Sequence, residues 1–150
     1  NIIEYPIEAI KCLETIAKKI NKFDGGSLIF DYGYKIKKKQ NTLQSVKNHK
    51  KINLLFKPGH SDITSHLNFK LFQEILKKNN LKVTKIADQS EFLKKMGILE
   101  RANILSKKMT FKEKANMFYR LKRLMDYREM GNLFKVLFAQ KKGKKFSLGF

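Results

Sequence analysis

Asp31, Tyr32 and Tyr34 close an apolar run, Gly25-Gly26-Ser27-Leu28-Ile29-Phe30. In an open α/β sheet, ligands sit outside the carboxyl ends of the strands. A strand that stops on Asp31-Tyr32-Gly33-Tyr34 therefore sets a carboxylate and two phenols at that edge. Two roles fit Asp31. One is a general base or hydrogen-bond acceptor for a substrate amine. The other is a turn carboxylate that accepts from the backbone amides of Tyr32-Gly33. The rings of Tyr32 and Tyr34 fit a pocket wall, and they fit half-buried aromatics with wet hydroxyls equally well.

A second set of polar residues lies between 42 and 66: Gln44, His49, His60, Asp62, Thr64 and His66. They are varied rather than repetitive, as in a functional connection. Two histidines and a carboxylate (His60, Asp62, His66) have the composition of a facial iron triad. All three fall within seven residues of one predicted loop, and no fourth ligand or outer partner can be named, so no metal is expected. Gly25-Gly26 precedes its strand, the reverse of the order a dinucleotide cradle needs. No GxGxxG, GxxxxGK[ST] or CxxC pattern is present.

Helices and strands must position these groups. Ile7, Ile10, Leu13, Ala17 and Ile20 recur at spacings of three and four, which predicts a helix over 6–22 with Pro6 in its first turn. Cys12 flanks its apolar face and reads as a small packing residue. The strand ending at Tyr34 follows and is expected to be buried on both faces. Residues 35–41 read as a loop and 42–66 as a long irregular connection. Asn68 is placed to cap a helix that buries Phe69, Phe72, Ile75 and Leu76. A second strand is expected over 81–87. Asp88 or Ser90 then caps a short helix that Gly97 stops, and Ile98, Ala102 and Leu105 continue in another. Thr110-Phe111-Lys112-Glu113 is a capping box. It opens a helix whose expected apolar stripe is Phe111, Ala115, Phe118, Leu121 and Met125. Met130-Gly131 marks a turn before a third strand, Leu133 to Phe138. Alternating strands and helices predict an α/β layered fold.

The chain has 150 residues, the size of one domain, and one cysteine, which leaves no internal disulfide. No apolar run is long enough to span a membrane. The formal charge of +20 favours polyanionic partners. The lysines are scattered over every segment, however, and such a balance speaks to non-specific association rather than fold. The first residue is Asn1, a helical pattern follows almost at once, and three strands make a narrow sheet with exposed edges. A piece of a longer protein is therefore expected.

Several separated segments resemble one family. Gly25-Gly26-Ser27-Leu28-Ile29-Phe30-Asp31-Tyr32-Gly33-Tyr34 is similar to the GG-x-LIIDYG segment of the MidA-like S-adenosylmethionine-dependent methyltransferases, relatives of a mitochondrial complex I assembly factor that methylates a protein arginine. Thr42-Leu43-Gln44-Ser45-Val46 with His49 resembles TLQAV…H. Pro58-Gly59 with Asp62-Ile63-Thr64-Ser65-His66-Leu67-Asn68-Phe69 resembles PG…DLTAHVDF. Gln89, Phe92-Leu93, Gly97-Ile98 and Arg101-Ala102 resemble TQ-x-x-FL-x-x-GI-x-x-RA, and Glu129 to Leu137 resembles EMG-x-LFKVL. Glu4 and Pro6 match an acidic-x-Pro piece.

The resemblance implies the C-terminal part of a Rossmann-like class I methyltransferase fold. Residues 1–140 would supply its last three strands with flanking helices, and 141–150 a basic tail. The final strand would be the antiparallel one. It implies S-adenosyl-L-methionine as cofactor in the complete protein, with the donor-binding residues upstream of Asn1. It further implies a protein substrate, a respiratory complex I subunit among the candidates, and a bacterial cytoplasm or mitochondrial matrix. Asp31 and Asp62 would orient the acceptor guanidinium as catalytic residues. Tyr32, Gly33, Tyr34, Gln44, His49, Thr64 and His66 would shape the substrate side. The sequence departs from the family at Asp88, where Thr is usual, and at Asn68, where Asp is usual. Two other readings stay open: a basic nucleic-acid-binding module and an inactive truncated remnant.

Overall fold

The computed structural model describes residues 4–36, 41–48, 50–54, 56, 59–146 and 148–150. His49 and Pro58 lie outside these residues. The first apolar repeat winds into α1 (Ile7–Phe23), which buries Leu13, Ala17 and Ile20. Pro6 occupies the N-cap position rather than the first turn. Cys12 is exposed, contrary to its expected packing role. It sits about 100° around the helix from Leu13, just off the buried stripe.

The main sheet is built from β1 (Gly26–Tyr34), β5 (Leu67–Asn68), β6 (Leu81–Val83), β7 (Ala87–Asp88) and β8 (Phe134–Lys141). Its order is β5-β1-β8-β6, with β7 also on β8. β8 runs antiparallel to β1, β6 and β7, while β5 runs parallel to β1. The last strand in sequence thus inserts between two earlier ones. The α/β class and the antiparallel final strand are as expected. The strand expected over 81–87 is two short pieces. Between them the Thr84 amide still donates to the Phe138 carbonyl at 2.9 Å, while its Oγ1 takes the return bond from the Phe138 amide at 3.1 Å.

β8 is the centre of the core. Leu137 and Ala139 face α1 and α2 (Phe69–Lys78), where Phe69, Phe72 and Leu76 join Leu13, Ala17 and Ile20. Val136 faces the other way, packing with its β7 neighbour Ala87 and with Phe92 of α3 (Gln89–Lys95). Helices therefore cover both faces of β8. β1 is less protected than the sequence suggests. Leu28 is 52% and Phe30 40% exposed. From Gly26 to Tyr32 β1 pairs only with β8, and its other edge meets β5 at Gly33 and Tyr34 alone among the described residues.

Residues 42–66 hold more structure than an irregular connection. β2 (Gln44–Lys47), β3 (Lys50–Ile52) and β4 (Asp62–Thr64) form a small antiparallel sheet in the order β3-β2-β4. Strands of three or four residues are too short to show a period of two. The remaining helices are α4 (Ile98–Ser106), α5 (Phe111–Met125) and the short α6 (Met130–Leu133), which stands where a turn was expected. A Cβ at Gly131 would run into the Met125 carbonyl, so the close return of the chain there requires glycine. The capping box of α5 is formed. Its apolar stripe is not buried: Phe111 is 88% exposed, and no residue of α5 is fully buried. After β8, the rings of Phe146 and Phe150 pack on Phe138, and Phe150 also packs on Phe92.

Candidate functional site

The carboxyl end of β1 is where the sequence concentrates its chemistry. Gly33 is buried there, and a Cβ on it would strike the Leu67 carbonyl and the Phe69 ring. Its absence lets β5 pair closely with β1. That pairing sets His66 beside Tyr32, edge to face, with ring centroids 5.6 Å apart. Phe134 packs on the same tyrosine at 5.8 Å. Tyr34 bonds to the Asn68 side chain, yet burial and the nearby Glu4 carboxylate push its phenol up.

Glu4 organises the neighbourhood. Its carboxylate accepts from the Thr42 amide at 2.5 Å, the Thr42 hydroxyl at 2.7 Å and the Leu43 amide at 2.9 Å. Thr42 Oγ1 in turn accepts from the His66 amide at 2.8 Å. This brace ties the start of the chain, the entry to β2 and the residue before β5 together. Burial lowers the His66 pKa, Lys51 and Lys135 add to the effect, and Glu4 partly opposes it.

Two cavities open at this end of the sheet. One of about 160 Å³ is lined by Glu4, Tyr34, Ser65, His66 and Asn68 among others. The other, about 490 Å³, lies between β1 and the α6 region and is walled by Gly33, Tyr34, Lys35, His66, Tyr127 and Asn132, with Asp88 and Lys135. Asp88, Lys135 and Asp31 stand in one register row across β7, β8 and β1. The Lys135 side chain is only 7% exposed, with Nζ 3.0 Å from Asp88 Oδ1 and hydrogen-bonded to the Asn132 carbonyl. Lys35 Nζ holds Asp88 Oδ2 at 2.7 Å. Burial pushes the Asp88 carboxyl up, but the bonds from Lys35 and Lys135 together outweigh it and hold the group below its ordinary range. This engagement also explains why Asp88, at the N-cap position of α3, makes no side-chain cap bond.

Asp31 is left with a lighter commitment. Its Oδ1 accepts from the Tyr32 amide at 2.8 Å, and no cation pairs with it among the described residues. Gln44 and Thr64 face each other across β2 and β4. Asp62 pairs in register with Val46 and is exposed, as is His60. Among the described residues no three His, Cys, Asp or Glu side chains are grouped to hold a metal ion. The fold thus gathers Tyr32, Gly33, Tyr34 and His66 directly, and attaches Gln44 and Thr64 through the Thr42 bond. Asp31 and Asp62 line neither cavity. Lys135, Asp88, Asn132 and Tyr127 were not anticipated. The available signal was Lys135, a lone charge inside Leu133-Phe134-Lys135-Val136-Leu137-Phe138.

Residues 1–87 match the family model described as "Putative S-adenosyl-L-methionine-dependent methyltransferase". Among known proteins, the chain is similar to the mitochondrial protein arginine methyltransferase NDUFAF7 of Xenopus tropicalis, 28% identical over 134 residues, covering 89% of this chain and 31% of the relative. It is 31% identical over 86 residues to the Caenorhabditis elegans homolog of that protein, covering 57% of this chain and 20% of the relative. Among solved structures it is similar to a COG1565 superfamily member from Burkholderia thailandensis bound to S-adenosyl-homocysteine. The TM-score is 0.78 at 25% identity, over 98% of this chain and 39% of that one. The chain spans about a third of the length of the first of these relatives.

Proposed function

Because the chain belongs to the S-adenosyl-L-methionine-dependent methyltransferase family, matched over residues 1–87, we propose that it builds the acceptor side of a methyltransferase that modifies a protein arginine. Two of its relatives carry the name of protein arginine methyltransferase. The observation that carries the proposal is Asp31, a carboxylate three residues short of the end of β1 with no cation paired to it among the described residues. Carboxylates grip guanidinium groups through paired, charge-assisted hydrogen bonds. Methyl transfer by direct displacement depends on such alignment of the nucleophile. Asp62, exposed on β4, is the second carboxylate in this proposal. Tyr32, Gly33, Tyr34 and His66 form the wall against which the acceptor lies, with Gln44 and Thr64 on the small-sheet side; His49, expected beside them from the sequence, lies outside the described residues.

The described residues do not by themselves fit the methyl donor. The paired glycines Gly25-Gly26 open β1 instead of following a strand into a helix. The larger cavity carries the ammonium groups of Lys35 and Lys135 on its wall, a poor match for a sulfonium cation. No step through the donor is therefore assigned to these residues; their part is to bind and orient the acceptor.

The test is made on the polypeptide containing these residues together with whatever sequence its gene encodes on either side. Incubation with isotopically labelled S-adenosylmethionine and candidate proteins, a respiratory complex I subunit first, is followed by mass spectrometry. Methylarginine in the product, reduced by Asp62→Ala, is expected. Label on a different residue type, or on nucleic acid instead of protein, would overturn the proposal.

A further inference from the structure

Of the 33 basic residues in the chain only four are arginine: Arg101, Arg120, Arg123 and Arg128. All four fall between residues 101 and 128, a window holding nine of the 33. A chain that uses lysine almost everywhere confines arginine to α4, α5 and the turn that follows. Arginine differs from lysine in its rigid, planar fork, which matches a carboxylate with two parallel bonds.

The same hairpin carries a groove of about 610 Å³ between α4 and α5. Ile98, Ala102 and Leu105 form one wall; Met117, Leu121 and Leu124 form the other. Arg101 and Arg120 stand on its border, both exposed and without an ion pair among the described residues. Glu113 also lines the groove, but its carboxylate is engaged by the Thr110 amide and hydroxyl at 2.8 and 2.7 Å. Arg123 has its own partner, Glu129. Two forks are thus uncommitted beside an apolar, methionine-bearing trough. α5 packs against α3, α4 and α6 yet buries none of its 15 residues fully, so its apolar face is only partly covered. Trough and forks together match one mode of recognition, an amphipathic helix laid in a groove.

We propose that the α4–α5 groove docks an acidic amphipathic helix of a partner protein, with its apolar stripe on the groove walls and its carboxylates on Arg101 and Arg120. A second copy of this chain is a poor occupant, since it brings the same uncommitted arginines and a further charge of +20, which repel. The inference does not depend on methyl transfer.

The probe is a fluorescein-labelled helical peptide of about five turns, with a Leu/Met stripe at i, i+3, i+4, i+7 and flanking glutamates. It is titrated by anisotropy against the polypeptide with its gene-encoded flanks. Controls are the peptide with Glu replaced by Lys, and one of the same composition with the stripe scrambled. The glutamate peptide is expected to bind, and both controls to bind at least about tenfold more weakly. Arg101→Glu and Arg120→Glu each weaken it about tenfold, the scale of one lost charge-assisted bond. A peptide carrying Arg opposite Arg120→Glu restores binding. Both arginines are exposed, so the variants keep the wild-type circular dichroism. Equal binding of the scrambled peptide would reduce the effect to polyanion attraction and overturn the proposal. So would indifference to both substitutions, a concentration-dependent dimer that excludes the peptide, or a cysteine at Met117→Cys shielded by the chain's own flanking sequence.

Discussion

Replacing Lys135 by Met removes an ammonium group from a place where water scarcely reaches. At the 3.0 Å separation from Asp88 and an effective dielectric near 20, the gross attraction is about 5 kcal/mol. Desolvation of the ammonium returns much of it. Lys35 still holds Asp88 Oδ2 at 2.7 Å in the variant, and the Asp88 side chain is 26% exposed, so the carboxylate is not orphaned. The net loss at pH 7 should be about 1–3 kcal/mol, below the roughly 3–5 of a stranded buried charge. The pH dependence has a definite sign. Asp88 is held below its usual 3.8; its contribution is present above that pH and is lost as pH falls through the folded value. Without Lys135 the folded value lies higher, so the variant binds its proton sooner. The stability gap between wild type and Lys135→Met therefore shrinks steadily as the pH falls from about 5 to 2. Urea unfolding followed by far-ultraviolet circular dichroism measures it, since the chain has no tryptophan. Adding Asp88→Asn and the double variant closes a cycle. A coupling below about 0.5 kcal/mol at pH 7 (within the scatter expected of independent sites), or a gap that ignores pH, would refute the reasoning.

Three further outcomes follow from the same structure. Gly33→Ala forces β5 from β1 and should cost about 1–3 kcal/mol, with loss of the nuclear Overhauser contacts between Tyr32 and His66; unchanged contacts would show that the close approach is not needed. Leu76→Ala, at a fully buried position, should cost about 2–5 kcal/mol in urea unfolding, and a loss under 1 would contradict its place in the core. The His66 imidazole should titrate below its ordinary 6.5, read from its ring protons by NMR; a midpoint at or above that value would contradict its burial.

The parts of the fold that were legible are those where local chemistry and tertiary packing agree. Asn68 caps α2 through the Leu71 amide, and Thr110 with Glu113 forms the box that starts α5. The apolar repeat of α1 buries the residues it marks. The parts that were not legible depend on partners distant in sequence. Cys12 and Phe111 are exposed because solvent, not periodicity, decides the far side of a helix. The β2-β3-β4 sheet is held by pairings between pieces too short to carry a pattern. In the site, Tyr32, Gly33 and Tyr34 were identifiable because glycine and aromatics cluster at a strand end. The Glu4–Thr42–His66 brace joins residues 38 and 24 apart, and Lys135 meets Asp88 only through strand register. Neither distance exists in the sequence.

The central claim is that Asp31 orients an acceptor guanidinium. Its most direct test is Asp31→Asn in the polypeptide with its gene-encoded flanks, measuring methyl transfer to protein and donor binding side by side. The account predicts a fall in kcat/KM of about 10- to 100-fold, the scale of one lost bond to a charged group, with S-adenosylmethionine affinity unchanged. Wild-type turnover, or a loss of donor affinity of the same size, would contradict it.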